Sequence, residues 1–214
     1  MKLLVTGASS TLASRLVTLL LAKGNCSIRL LEHRSPARME SCETVSGNIN
    51  DPESLDRACQ GMDSVLHLAA LTHSRNASEY FKVNLEGTLN LINACKKNDV
   101  GRFIFCSSGS ASGIGGAYGL SKLESEVLVC KSGIPWVILR PSEVYGPQMK
   151  EGVGKLISWV KKFKFIPVIG DGSYFLSPVY IDDVAGAMAQ VVMSPKLINQ
   201  KLNLCGPEKI PFEE

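Results

Sequence analysis

The sequence predicts an α/β fold, a doubly wound parallel sheet followed by a small, incomplete C-terminal lobe. Three observations predict it. Short β-branched and aromatic runs alternate with helical periodicities without hairpin signals, which is the rhythm of right-handed β-α-β crossovers. A turn of small residues, Gly7-Ala8-Ser9-Ser10, joins the first strand directly to the first helix. Polar and small residues then recur at the carboxyl ends of successive strands, where open α/β sheets bind their ligands. We place the sheet domain at residues 1–147 and the partial lobe at 148–214, with residues 158–193 packing back on the sheet domain.

Lys2–Thr6 reads as a buried parallel strand. Leu12, Leu16, Leu19 and Leu20 then repeat at helical spacing until Lys23-Gly24 ends the run. The turn between them offers free backbone N–H groups at the positive end of a helix, which makes an anion site. A second strand, Ser27–Leu31, delivers Glu32 to its end, with His33 and Arg34 just beyond. A short strand near Thr44–Ser46 runs into Gly47-Asn48-Ile49-Asn50, and Asp51-Pro52-Glu53 starts a helix with proline at its first position. Asp63–Leu68 is the next strand, ending in Ala69-Ala70, with His67 inside it as a core histidine. A long helix over 76–97 carries Asn84, and strand 102–106, the helix opening at Tyr118 and strand Ile134–Leu139 complete the alternation.

After Arg140-Pro141 the pattern loosens. It holds a helix from Val153 to Phe163, a turn at Ile169-Gly170-Asp171-Gly172, a short strand at Pro178–Ile181, a helix to Met193 capped by Asp182 or Asp183, and a strand at Lys201–Cys205. Phe212-Glu213-Glu214 reads as the first turn of another helix, with acids at its positive end. The natural product is therefore expected to continue, leaving apolar surface near Trp159 and Phe175 uncovered here.

Composition narrows the function. A net charge of +3, with Lys161, Lys162 and Lys164 the one basic cluster and that at a helix end, leaves no footprint for nucleic acid. No apolar run approaches the ~20 residues that span a bilayer. Seven dispersed cysteines, with no C-x-x-C pair and no zinc spacing, are expected to be reduced thiols in a cytoplasmic protein without a metal.

Residues 103–122 carry the chemistry. Phe103-Ile104-Phe105 leads to Ser107 and Ser108, a glycine-rich loop follows, and Tyr118 and Lys122 share one face of the next helix. A phenol titrates near pH ~10, and an ammonium ~4 Å away favours the phenolate by roughly 4 kcal/mol before desolvation. That would make the tyrosine a working acid/base near neutrality while a serine hydroxyl holds the substrate oxygen. Many helices carry a Tyr and a Lys at this spacing. Here the pair follows a serine-ended strand and an N-terminal glycine turn, and that order gives it weight.

Together with Val5-Thr6-Gly7, His67-Leu68-Ala69-Ala70, Val83-Asn84-Leu85-Glu86-Gly87-Thr88, Leu139-Arg140-Pro141, Val144-Tyr145-Gly146-Pro147 and Tyr180-Ile181-Asp182-Asp183-Val184, these residues resemble the extended short-chain dehydrogenase/reductase family, of the NAD-dependent epimerase/dehydratase type. The resemblance implies a Rossmann sheet over 1–147. It implies Ser108 as the residue orienting the substrate, Tyr118 as acid/base, and Lys122 as the lysine that binds ribose and lowers the tyrosine pKa. It places Gly7, Ser9, Ser10, Thr11 and Leu12 at the pyrophosphate, Glu32, His33 and Arg34 at the adenosine ribose, and Asn48 and Ile49 at the adenine. Ala69 and Ala70 fall on the nicotinamide side, and Leu68, Asn84 and Pro141 are further cofactor-binding candidates. Glu32 can accept bonds from both ribose hydroxyls, whereas Arg34 suits the 2′-phosphate of NADP; the strand-held Glu32 decides for NAD, with NADP the alternative.

Four departures stand out. Ser10 and Ala13 replace the second and third glycines of the family's turn, and Ser10 puts a side chain where backbone must approach pyrophosphate. The loop from Ser108 to Tyr118 is short for a sugar epimerase. Glu143 stands where an asparagine is usual, and the chain ends where the substrate lobe begins another helix. The implied function is hydride exchange with a hydroxyl-bearing carbon, as in a nucleotide sugar, by a protein compatible with a homodimer and with small-molecule partners only. The alternatives are an NADP-dependent carbonyl reductase of a smaller substrate and a non-catalytic dinucleotide sensor.

Overall fold

The chain is described by a computed structural model covering residues 1–36, 39, 41–147, 149, 153–163 and 174–211. Lys164, the turn at Ile169–Gly172 and the helix start at Phe212–Glu214 lie outside the described residues. Strands β1 (Lys2–Thr6), β2 (Ser27–Glu32), β3 (Glu43–Ser46), β4 (Ser64–His67), β5 (Arg102–Cys106), β6 (Trp136–Pro141) and, much later in the chain, β10 (Gln200–Leu204) form one sheet. Its order is β10-β6-β5-β4-β1-β2-β3, and every pairing is parallel. The chain winds outward from β1 to β3, then returns to place β4 on the other side of β1. That reversal opens a crevice above the carboxyl ends of β1 and β4.

Side-chain alternation explains why both faces are covered. In β1, Leu3 and Val5 join the core beneath α1 (Thr11–Ala22) and α7 (Ile181–Val192), while Leu4 joins the opposite core beneath α2 (Pro52–Cys59), α4 (Gly87–Lys97) and α5 (Gly116–Cys130). All three are fully buried, each contributing roughly 2 kcal/mol of apolar burial. Leu16, Val17 and Leu20 of α1 meet Val184, Met188 and Val192 of α7 in the first core. The late helix α7 and strand β10 thus belong to the central sheet unit.

Two expectations change. The single helix expected over 76–97 is three segments: a turn of α-helix α3 (Ala77–Tyr80), a π-helical segment at Phe81–Glu86, and α4. Asp182 and Asp183 do not cap α7. Tyr180 holds the cap position without a side-chain bond, the two acids occupy the first turn, and Asp182 lies 3.6 Å from Arg15. Being at the positive helix end, they still suit the dipole. By contrast Asp51 caps α2 as expected, its Oδ1 accepting the Glu53 N–H at 3.2 Å. Around the sheet's carboxyl edge lie two small ladders, β7 (Val144–Tyr145) with β9 (Val179–Tyr180) and β8 (Phe175–Leu176) with β11 (Ile210–Pro211), together with helix α6 (Val153–Lys162). Trp159, Phe163, Tyr174 and Phe175 remain at the surface there.

Candidate active site

The crevice at the strand reversal is a groove of about 450 Å³. Gly7, Ser9 and Ser10 form its floor, Asn48 and Ile49 with His33 and Arg34 one end, and Leu68, Ala69, Ala70 and Leu71 the other. Gly7 is irreplaceable in two ways: its φ is +71°, and a Cβ there would lie 2.6 Å from the Ala69 nitrogen. The Ser10 side chain is tied back to its own helix. Its Oγ turns back to accept the Ala13 N–H at 3.1 Å, capping α1. Thr11 and Leu12 form the first turn behind it, where N–H groups precede the helical ladder. Ala13 is fully buried against the core, the close packing that a small third residue allows. Asn48 is locked by its own turn: Ser54 Oγ accepts its N–H at 3.0 Å, and its Oδ1 accepts the Asn50 N–H at 2.9 Å. Glu32 ends β2 half-buried, while His33 and Arg34 wall the groove.

Beside the groove, β5 delivers Ser107 and Ser108, and α5 brings Tyr118 back to them. The Ser108 hydroxyl neighbours the Tyr118 phenol and favours its ionised form, and Ser108 Oγ accepts the Ser110 N–H at 3.1 Å. Tyr80 packs edge-on against the Tyr118 ring, centroids 5.9 Å apart. Lys122 is 2% exposed. Its Nζ donates to the Cys106 carbonyl at 2.8 Å and lies 4.1 Å from the centre of the Phe105 ring. This corrects the expected electrostatics. Lys122 directs one N–H to the Cys106 carbonyl, and burial pushes the Tyr118 phenol above its usual value, with only the neighbouring Ser108 hydroxyl acting in the other direction. Burial likewise lowers Lys122 to about 8. Pro141 ends β6 with its carbonyl accepting the Gly109 N–H at 2.7 Å, so it anchors the Ser108 loop.

The two serines divide their work. Ser107 is buried and donates to Glu126 Oε1 at 2.6 Å. Glu126, fully buried one turn below Lys122, also takes a two-pronged bond from Arg140 at 2.7 and 2.7 Å and one from Lys201 at 3.0 Å. Burial alone would raise this carboxyl, but the Arg140, Ser107 and Lys201 bonds outweigh it and hold it low. The sequence reading missed Glu126; its signal was the i, i+4, i+8 series Tyr118, Lys122, Glu126 facing Arg140 of Leu-Arg-Pro. Asn84 is also not at the groove. It is 1% exposed, and its amide bonds both backbone groups of Leu71, at 2.7 and 3.1 Å, and Ser121 Oγ at 3.0 Å. Ser121 in turn donates to the Tyr118 carbonyl at 2.7 Å, so Asn84 ties the groove wall to the helix that carries Tyr118.

All seven cysteines are unbridged. Among the described residues no helix is long and apolar enough to cross a membrane.

The chain is similar to known proteins. A 3beta-hydroxysteroid-dehydrogenase/decarboxylase of Arabidopsis thaliana is 31% identical over 166 residues, covering 67% of this chain and 38% of that protein. The chain spans only 22% to 38% of the length of several curated relatives that it matches. The Thermus thermophilus UDP-glucose 4-epimerase complex with NAD is 25% identical, with a TM-score of 0.78 over 98% of this chain and 79% of that one. A dTDP-glucose 4,6-dehydratase of Streptomyces venezuelae, 22% identical, shares the fold with a TM-score of 0.86 over 100% of this chain and 78% of its own. The profile described as the NAD dependent epimerase/dehydratase family matches residues 3–205, so the chain belongs to that family of enzymes.

Proposed function

We propose that this chain is an NAD-dependent oxidoreductase of the epimerase/dehydratase type, exchanging hydride with a hydroxyl-bearing carbon of a nucleotide sugar. One observation carries the reading: Ser108 and Tyr118 are neighbours at the carboxyl end of β5, beside a groove suited to a dinucleotide. The groove suits it because Gly7 leaves no room for a side chain between the turn and Ala69, so backbone alone faces a phosphate. The N–H groups of Thr11 and Leu12 lie at the positive end of α1, where a pyrophosphate is stabilised. Asn48, Ile49, Glu32, His33 and Arg34 would hold the adenosine end, and Leu68, Ala69 and Ala70 the nicotinamide end.

NAD bound there supplies the hydride acceptor and donor. The chain's own groups handle the oxygen. Ser108 Oγ donates to the substrate oxygen and fixes it beside Tyr118 Oη. Tyr118, pushed up by burial, rests as a phenol, so its ready direction is proton donation to a carbonyl oxygen. Abstraction from a hydroxyl uses the phenolate, which the neighbouring Ser108 hydroxyl favours. Tyr80, the Asn84–Ser121 link and the Glu126 cluster keep both ends of α5 in place while the proton moves.

A second reading has its own support. The loop between Ser108 and Tyr118 is closed by short turns, Ala111 N–H to the Ser108 carbonyl at 3.1 Å and Gly115 N–H to the Ser112 carbonyl at 3.2 Å. With the hydroxysteroid-dehydrogenase relative, that favours a dehydrogenase or carbonyl reductase of a smaller, less polar substrate. The test is to release bound small molecules by denaturation, then assay the protein with NAD against UDP-glucose and a 3β-hydroxysteroid. Sugar interconversion supports the first reading, steroid oxidation with NADH formation supports the second, and an empty protein inert to both overturns both readings.

A further inference from the structure

His67 is fully buried in β4, between the rings of Phe103 and Phe105 at 6.0 and 5.5 Å, and touches neither the groove nor the Ser108–Tyr118 pair. Its ring nitrogens nonetheless join two hydroxyls, Thr6 Oγ1 at 2.7 Å from Nδ1 and Thr88 Oγ1 at 3.1 Å from Nε2. The donors can be assigned by elimination. Thr88 Oγ1 lies 2.5 Å from the Asn84 carbonyl, which can only accept, so the Thr88 hydrogen goes there. Thr88 must then accept from His67, and Nε2 carries the hydrogen. Nδ1 is therefore an acceptor, Thr6 donates to it, and Thr6 Oγ1 is left to accept the Ala69 N–H at 3.2 Å.

The result is a chain of donors with one direction: Ala69 N–H to Thr6, Thr6 to His67, His67 to Thr88, Thr88 to Asn84. Asn84 then holds Leu71 by both its backbone groups. The turn Ala69–Leu71, a wall of the groove, is thus pinned at both ends by one buried network with the imidazole at its centre. Phenylalanine or leucine would fill the same hole without burying an imidazole. What they could not do is connect two hydroxyls about an imidazole's width apart, and half-satisfied buried networks are costly.

We propose that His67 is a positioning residue: as the neutral Nε2–H tautomer it joins Thr6 to Thr88 and so sets the Ala69–Leu71 wall against which the nicotinamide end of the cofactor packs. The proposal rests on the dinucleotide reading of the groove. Burial and the neighbouring Lys122 charge both act to keep the ring neutral, lowering its pKa to about 3.

The experiment compares the wild type with His67→Phe, which fills the space and joins nothing, and His67→Asn, whose side-chain oxygen reproduces the acceptor toward Thr6. NADH and ADP-ribose dissociation constants and melting temperatures are measured for each. The expected result for His67→Phe is NADH binding weakened by about tenfold with ADP-ribose binding within about twofold of wild type, and a smaller NADH loss for His67→Asn. Equal losses for both ligands, or a lowered melting temperature with an unchanged NADH to ADP-ribose ratio, would show a merely structural residue and overturn the proposal. Nitrogen-15 NMR of the wild-type histidines needs no variant: a neutral Nε2–H ring supports the proposal, and an Nδ1–H or charged ring overturns it. A wild type that binds neither ligand removes the dinucleotide reading itself, and the proposal falls with it.

Discussion

Lys122→Met is expected to stabilise the protein at neutral pH while impairing cofactor binding and turnover. The wild-type ammonium is 2% exposed, with the Cys106 carbonyl at 2.8 Å and the Phe105 ring face as its compensation. Burial lowers its pKa from 10.5 to about 8, which corresponds to roughly 3 kcal/mol against holding the cation in the folded state. Methionine keeps much of the stem's packing and forfeits the Cys106 bond, a loss of about 1 kcal/mol. The net gain at pH 7 is then about 2 kcal/mol. Its pH dependence has a definite sign. Between pH 8 and 10.5 the unfolded chain still holds the proton that the folded chain has released, so wild-type stability rises with pH in that window. The advantage of the variant should therefore shrink by about 2 kcal/mol between pH 7 and pH 9.5. Urea unfolding followed by the fluorescence of Trp136 and Trp159 at several pH values measures it, with NADH titration alongside. A variant less stable than wild type at pH 7, or an advantage constant with pH, would show that the buried cation is not the cost inferred here.

Three further outcomes follow from the same geometry. Tyr118→Phe should keep the fold and NADH binding but lower turnover by ~100-fold or more, measured once a substrate is in hand; unchanged turnover would shift the acid/base role to Tyr145. NADH should bind about tenfold tighter than NADPH, and Glu32→Ala should narrow that ratio in fluorescence titration; a ratio untouched by the substitution would mean that Arg34, already in the groove wall, sets the choice. Acid should destabilise the protein through His67, because its folded pKa of about 3 lies below the unfolded 6.5: stability present above pH 6.5 is lost progressively as pH falls toward 3, by as much as roughly 5 kcal/mol. His67→Phe should remove that slope, whatever it does to the absolute stability.

The sheet was legible because its signals are local. A strand such as Leu3-Leu4-Val5 needs apolar residues on both faces only if both faces are covered, and a glycine turn followed by leucines at helical spacing leaves few alternatives. The π-helical segment at Phe81–Glu86 was not legible, since the bonds around it include partners distant in sequence: the Asn84 carbonyl takes a hydroxyl from Ser125, and its amide reaches back to Leu71. Asp182 and Asp183 failed as caps for a smaller reason. The helix begins one residue before them, at Ile181, whose burial against the core fixes the start more firmly than a cap could.

The Tyr118–Lys122 pair shows where spacing stops being informative. Four residues on a helix place Tyr118 and Lys122 on one face, but whether the ammonium serves the phenol depends on what else lies within reach. In this fold the end of β5 presents the Cys106 carbonyl, a fixed acceptor, and Lys122 takes it. The ammonium still belongs to the site, because the strand end that it holds continues directly into Ser107 and Ser108. Ser107 is fixed in turn by Glu126, and Glu126 by Arg140 and Lys201, each bond joining α5 to a different strand. A buried carboxylate with three charged or hydroxyl donors resists being moved, since freeing any one partner leaves an uncompensated group in the interior. Tyr118 therefore sits on a helix clamped from below by charge and from the side by Asn84 and Tyr80. Its reactivity would then be adjusted by what enters the groove, and much less by the rest of the chain.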